Sequence, residues 1–384
     1  MRISKLAKVA SLALAFGLVA GTPAYAVDLQ GSGASFPALL IEGCKAGFAS
    51  SGSGHTYVYA SSSSGTGQSN SDKSIGDFWM SDGAYTAATK RASLIHVPLV
   101  AAPIAILHNL PAKTTLSLSA ATIAGIFGGT ITRWNDPAIV ADNNRSTTKV
   151  IYKLDKNGNP AKDAKGNPVV LRTQVVQQHY TLPDKPIKVV YRSDSSGTSE
   201  NFTNYLNKSA SAVWPKAKNK VFKDAFPGNI NDTANLGRVV GAASSTGVAQ
   251  LAGKTAYSIT YAEVNYATAN NLKIANLINP AGSSVVPDST GVGAFLASAT
   301  QDPTSGFLTY NYATTEKGAY PLGIVSYLLA DTKYPDAAKA KAVKDFANYI
   351  LSTKCSKDVG GPLGFSVIDG ELLKKSLAQV AKIG

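Results

Sequence analysis

The stretch that most constrains this chain is VVYRSDSSGTSENFTNYL, residues 189–206. Val189, Val190 and Tyr191 form an apolar β-forming run, and Phe202, Tyr205 and Leu206 recur at helical spacing a few residues later. Only Arg-Ser-Asp-Ser-Ser-Gly-Thr lies between, so the chain turns from strand to helix through small hydroxylated residues. A fresh helix N-terminus after such a turn suits an anion, because unpaired N–H groups and the positive dipole end converge there. Arg192, at the end of the strand, adds a planar fork matched to a phosphate or carboxylate. Asp194 is the odd neighbour: either it holds Arg192 in place, or there is no anion.

Two further stretches share the design, GSGASFP (31–37) and ASSSSGTG (60–67). Each is a run of small hydroxylated residues and glycine placed just after a strand or just before a helix. Each alone is an ordinary turn; three in one chain point to a site built from separated segments. A fourth piece, GDFWMSDGA (76–84), carries Asp77 and Asp82, the latter in a Ser-Asp-Gly turn. Strand-like runs at 55–60, 94–107, 187–193, 255–262 and 320–329 alternate with helical patterns at 36–49, 120–129 and 337–352, an α/β layout. In the last helix Val343, Phe346, Ala347, Ile350 and Leu351 share one face, as an amphipathic helix on a core requires. Between 149 and 181, β-branched runs flank Asn-Gly and Gly-Asn-Pro turns, so a protruding hairpin is expected, as surface decoration rather than a docking element. No internal repeat is expected.

The N-terminus speaks to location. Arg2, Lys5 and Lys8 precede the apolar VASLALAFGLVAG and the small-residue AYA (24–26), the pattern of a signal peptide over 1–26. No cysteine follows the cleavage site to take a lipid anchor, so a periplasmic or secreted protein is expected, with no later segment apolar enough to span a membrane. About 358 residues remain, a length for two domains. The net charge falls from +13 to +10 once those three cations leave. The basic residues are dispersed and no nucleic-acid motif accompanies them, so no nucleic-acid partner is expected; a positive field still draws small anions. Cys44 and Cys355 are the only cysteines, either one disulfide or two buried thiols. No zinc spacing or other metal cluster is visible, and no cofactor is implied.

Taken together, the segments resemble the phosphate-binding proteins of phosphate ABC transporters over nearly all of the mature chain. GSGASFP, SSGTGQS, GDFWMSD, IAGIFGGTITRWNDPAI (123–139), RSDSSGTS, GVAQLAGKTAYSITYAEV (247–264) and GPLGFSVI (361–368) follow in the family's order. The resemblance implies a two-lobed, type II periplasmic-binding-protein-like α/β fold, with lobe one from 27–105 and 280–384 and lobe two from 106–279. It implies phosphate donors from Ser35, Phe36, Ser63, Ser196, Gly197 and Thr198, with Arg192 as the bidentate cation and Asp194 orienting it. Asp82 would face the ligand and read its proton, since an ionised carboxylate only accepts hydrogen bonds. The implied partners are inorganic phosphate and a membrane permease. The family's second loop is richer in glycine than Ser64-Gly65-Thr66-Gly67, which leaves the register of Ser63 open by one residue. The family's Gly-Ala-Ile-Gly-Tyr is replaced by TAYSITY, and nothing in the family pattern assigns the 149–181 hairpin a role. An enzyme reading lacks an engine: there is no Gly-x-Ser-x-Gly elbow and no His-Glu-x-x-His, and GVAQLAGKT misses the P-loop spacing by one residue. A phosphate or arsenate scavenger without a transporter would use the same donors and is the alternative.

Overall fold

The computed structural model describes residues 26–85, 90–111, 115–177 and 179–384, so the expected signal peptide lies outside them apart from Ala26. The architecture is organised by one strand, Leu94–His108, whose fifteen residues are all buried. Its near-continuous apolar run suits a strand covered on both faces. From Leu94 to Pro103 it pairs antiparallel with Gly323–Asp331. From Ile104 to His108 it pairs antiparallel with Ser258–Glu263, and Lys273–Ile278 takes its other side. The sheet therefore changes partners at Pro103/Ile104, and the chain falls into two halves joined there.

In the first half, Asp28–Ala34 lies between the parallel strands Thr56–Ser62 and Phe78–Ser81, and Phe78–Ser81 pairs antiparallel with Gly323–Asp331. In the second, Lys188–Arg192 lies between the parallel strands Ser258–Glu263 and Val239–Ala242. Helices Ala38–Ala49 and Ala337–Leu351 cover the first half. Phe346 projects from the latter into Tyr57 and Phe78, with ring centroids 4.9 and 4.4 Å away. Val343, Phe346, Ala347, Ile350 and Leu351 are all buried, as their spacing requires. An aromatic stack of Phe202 on Tyr261, 4.3 Å apart, with Phe127 edge-on, does the same for the second half. Each such ring contributes about 1.5–3 kcal/mol by burial. Cys44 and Cys355 form a disulfide with Cα atoms 5.5 Å apart, joining the first helix to the C-terminal region.

GSGASFP runs just before helix Ala38–Ala49, one of the two placements expected of it, and its Gly31 to Ala34 form the end of strand Asp28–Ala34. Glycine is required because a Cβ on Gly31 would fall 2.1 Å from the Phe78 ring, and one on Gly33 2.2 Å from the Met80 carbonyl oxygen. One expectation needs correction: the protruding segment is more than a hairpin, and it does contain a repeat. Strands Ser146–Tyr152 and Val170–Gln177 pair antiparallel, but two tandem eight-residue units of the form Asp-x-x-Gly-Asn-Pro lie between them. In the first, Asp155 Oδ1 accepts from the amides of Asn157 and Asn159 at 2.8 and 3.0 Å. In the second, Asp163 Oδ1 accepts from those of Lys165 and Asn167, both at 2.8 Å. The side chain of each aspartate builds its own turn, and Gly158 and Gly166 supply the positive φ.

Candidate functional site

The strand–turn–helix stretch folds as its residues dictate. Lys188–Arg192 ends, Ser196 caps helix Gly197–Ser209, and the Ser196 Oγ accepts the Ser199 amide at 3.2 Å. The loop brings Asp194 under Arg192. Oδ1 accepts from Nε at 2.8 Å and Oδ2 from Nη2 at 2.6 Å, a bidentate pair that fixes the guanidinium plane. Arg192 is 2% exposed; burial works against its charge, but the Asp194 bonds outweigh it and hold the guanidinium above its usual pKa. Nη1 points the other way, to Ser245 Oγ at 3.2 Å and, at a long 3.5 Å, to Thr198 Oγ1.

Asp82 follows strand Phe78–Ser81 and meets this cluster from the opposite half. Its Oδ2 accepts from Thr198 Oγ1 at 3.1 Å and its Oδ1 from Ser326 Oγ at 2.7 Å, while its amide donates to Ser64 Oγ at 3.1 Å. Asn201 Nδ2 donates to the Asp82 carbonyl oxygen at 2.7 Å. Burial pushes the Asp82 carboxyl up to about 6, with Ser326, Arg192, Thr198 and Ser64 all pulling it back. At neutral pH it is therefore ionised. Asp77, its companion in the sequence, is elsewhere: its carboxylate accepts from the Gln30 amide and from Lys339 Nζ, a purely structural clamp.

The small-residue loops converge as close contacts between the halves. Ser35 Oγ accepts the Ser245 amide at 3.2 Å and lies 3.3 Å from Ser245 Oγ. Phe36 is buried with its ring against Phe365, so only its backbone is available to a ligand. The Gly65 amide donates to Ser195 O at 3.0 Å. A Cβ on Gly197 would lie 2.5 Å from Ser64 Oγ and 2.8 Å from Asp82 Cβ, which explains the glycine. Ser63 is the N-cap of helix Ser64–Asp72, its Oγ accepting the Thr66 amide, and it is Ser64 that contacts Asp82 and Gly197.

Residues at or just before four helix starts, at Ala38, Ser64, Gly197 and Ser244, thus meet across the two halves. Several of their first-turn amides already have partners, Gly65 in Ser195 O, Thr66 in Ser63 Oγ, Ser199 in Ser196 Oγ and Ser245 in Ser35 Oγ, and the helix ends still supply positive potential that the charged side chains do not. Arg192 is neutralised by Asp194, and Asp82 adds a further negative charge. An anion placed here would meet oriented N–H and O–H dipoles around one guanidinium.

Sequence reasoning missed Ser245, Ser326 and Glu263. Ser245 sits in ASSTG (243–247), which follows strand Val239–Ala242 and opens helix Ser244–Lys254, the same signature as the other three loops. That signal was readable. Ser326 and Glu263 lie inside buried strands, where no local pattern marks them.

A PBP superfamily domain matches residues 19–354 of this chain. The phosphate-binding protein PstS of Pasteurella multocida is 30% identical over 383 residues, covering 96% of this chain and 94% of that protein. The phosphate-binding protein PstS 3 of Mycobacterium tuberculosis is 31% identical over 256 residues, covering 65% of this chain and 57% of that protein. The chain thus spans a little over half the length of the mycobacterial relatives it matches. Among solved structures, a high-affinity periplasmic phosphate-binding protein bound with phosphate superposes with a TM-score of 0.65 at 21% identity, covering 90% of this chain and 92% of that one. The phosphate-binding protein from Stenotrophomonas maltophilia gives 0.63 at 18%, covering 91% and 93%. The fold is that of the two-lobed, type II solute-binding proteins. The chain belongs to the PBP superfamily, in the family that includes the phosphate-binding proteins PstS.

Proposed function

We propose that this chain is an extracytoplasmic solute-binding protein that captures inorganic phosphate between two lobes and delivers it to the permease of an ABC transporter. The lobes are 27–105 with 280–384, and 106–279, and phosphate joins them. Ser35, Phe36, Ser63 and Asp82 approach from one side, and Arg192, Ser196, Gly197 and Thr198 from the other. Arg192, held by Asp194, would give Nη1 to the anion, and the helix-start amides and hydroxyls would satisfy its remaining oxygens. The relatives' names support the ligand, and a chain with no membrane-crossing helix among its described residues fits a role beside a permease rather than in it. The expected signal peptide supports export. The role requires no chemical step, only capture and release.

The observation that carries the reading is the placement of Asp82. It is a buried carboxylate, 2% exposed, that touches Thr198 at the opposite helix start and lies beside Arg192. A carboxylate in an anion site is useful only if the anion brings a proton, which hydrogen phosphate does and sulfate at neutral pH does not. Titration calorimetry of the ligand-stripped native protein at pH 7.5 tests this. Phosphate should bind tightly and sulfate should give no heat; sulfate binding as well as phosphate would remove the proposal.

A further inference from the structure

Glu263 ends strand Ser258–Glu263 opposite Ile104, where the long strand passes between the two halves. It is 2% exposed, and its Oε2 has no hydrogen-bond partner among the described residues. Its Oε1 lies 3.1 Å from Ser245 Oγ. That same hydroxyl oxygen receives Arg192 Nη1 and stands 3.3 Å from Ser35 Oγ. Glu263, Ser245 and Ser35 therefore form a file of oxygens that runs from a buried carboxyl to the anion site.

Counting lone pairs decides what the file does. A hydroxyl has one proton and two acceptor positions. With Glu263 ionised, the Ser245 proton must go to Glu263. One Ser245 lone pair is taken by Arg192 and the other is open to the Ser35 proton, which is thereby drawn away from the site. With Glu263 protonated, its own O–H and Arg192 occupy both Ser245 lone pairs. The Ser245 proton then goes to Ser35, and the Ser35 proton is left for the anion. The charged and titratable groups around Glu263 are Arg192 on Lys188–Arg192, Asp82 from the other half and the Tyr266 phenol on Asn265–Ala269. Helix Ser244–Lys254 presents Ser245, and the long strand presents apolar Ile104. Arg192, already paired with Asp194, is the only cation among these groups, so an ionised Glu263 would add a second negative charge beside Asp82. Burial, with Asp82 adding to it, raises the Glu263 carboxyl to about 8 against the pull of its own amide, Arg192 and Ser245. The protonated form therefore prevails at neutral pH.

We propose that Glu263, acting through Ser245, is a proton-gated positioning residue for the anion: its protonated form turns the Ser35 hydroxyl toward bound phosphate, and its ionised form withdraws that donor and adds a repelling charge. This rests on the phosphate reading above. Phosphate binding and the Glu263 proton then favour each other, so binding takes up protons on the alkaline side.

The test compares phosphate affinity of the native protein and Glu263→Gln from pH 7 to 9.5, the ratio cancelling the titration of phosphate itself. The Gln side chain keeps a donor toward Ser245 at every pH, so the native dissociation constant should rise relative to the variant's by about tenfold or more across that range. A flat ratio overturns the proposal. In Ser245→Ala the rise should shrink; an undiminished rise overturns the hydroxyl file. Calorimetry of the native protein alone, at pH 8.5 in buffers of different ionisation enthalpy, should show net proton uptake on phosphate binding, and none would overturn the proposal even if the Gln variant does not fold. No phosphate heat from native protein at any pH would instead refute the phosphate reading itself.

Discussion

Replacing Asp82 by Asn exchanges the carboxylate proposed to face the anion for an isosteric amide. In the native protein Oδ1 and Oδ2 accept from Ser326 and Thr198, and the amide oxygen of Asn can keep one of these bonds. Sulfate, with no proton to offer, meets an ionised and buried carboxylate. Such an uncompensated charge costs about 3–5 kcal/mol, a discrimination of about 100-fold or more. Asn removes the charge and presents a donor, so the sulfate dissociation constant should fall by about 100-fold. Phosphate loses only the charge assistance of one hydrogen bond and should weaken less than about tenfold. The structure also fixes the accompanying change in stability. The folded-state value of about 6 lies above the usual carboxyl value of 3.8, so the ligand-free protein binds this proton more tightly than the unfolded chain does. Stability is therefore lost as pH rises from about 4 to about 6, and above that a penalty of about 3 kcal/mol persists. Asn abolishes it, so the ligand-free variant should melt a few degrees higher at pH 7.5. Calorimetric titration with both anions, with melting curves on ligand-stripped samples, reads all three effects. A variant that melts higher and still excludes sulfate would show that Asp82 is buried but does not face the ligand.

Other outcomes follow from single contacts. Gly197→Ala places a methyl 2.5 Å from Ser64 Oγ and 2.9 Å from the Gly83 amide, wedging the halves apart. Phosphate affinity should drop more than about tenfold, and small-angle scattering at saturating phosphate should show a larger radius of gyration than native protein; an unchanged radius would refute the contact. Ser326→Ala removes a donor that favours ionised Asp82, so its pKa should rise above about 6 and the pH below which sulfate is admitted should move up with it. Sulfate titrations across pH 5–8 check the direction. Reducing the Cys44–Cys355 disulfide, whose cysteines stand 311 residues apart, should lower unfolding free energy by about 2–5 kcal/mol, measured as a shift in denaturant midpoint.

What the sequence revealed was what lies close together along the chain. Arg192, Asp194 and Ser196 to Thr198 fall within seven residues, and the chemistry of a strand running into a capped helix set their geometry almost alone. Cys44 and Cys355 were visible as a pair but not as a bond, because pairing depends on how the two ends of the chain meet. Ser326 and Asp82 are 244 residues apart, and Ser35 and Ser245 are 210 apart, so only the folded sheet could join them. Glu263 was hidden for a related reason: a carboxyl in TAYSITYAEV looks like the solvent end of a strand until both of its faces are found covered. The tandem Asp-x-x-Gly-Asn-Pro units were missed differently. Their period of eight is too short for a stacked domain and resembles ordinary turn chemistry, which is how each unit folds.

The disulfide has a topological consequence. It links residue 44 to residue 355, and both lie in the half that carries the chain's two ends, while every residue of the other half lies between them. Residues 44–355 are thus a covalently closed ring, and the second half hangs from it as a loop. A hinge motion between the halves would leave the bridge untouched, since both sulfurs lie in the same half. A protease that cuts the exposed segment around Leu171 would linearise the ring without shedding a fragment. Nicked protein should therefore run at full mass on a non-reducing gel and fall into two pieces only when thiol is added.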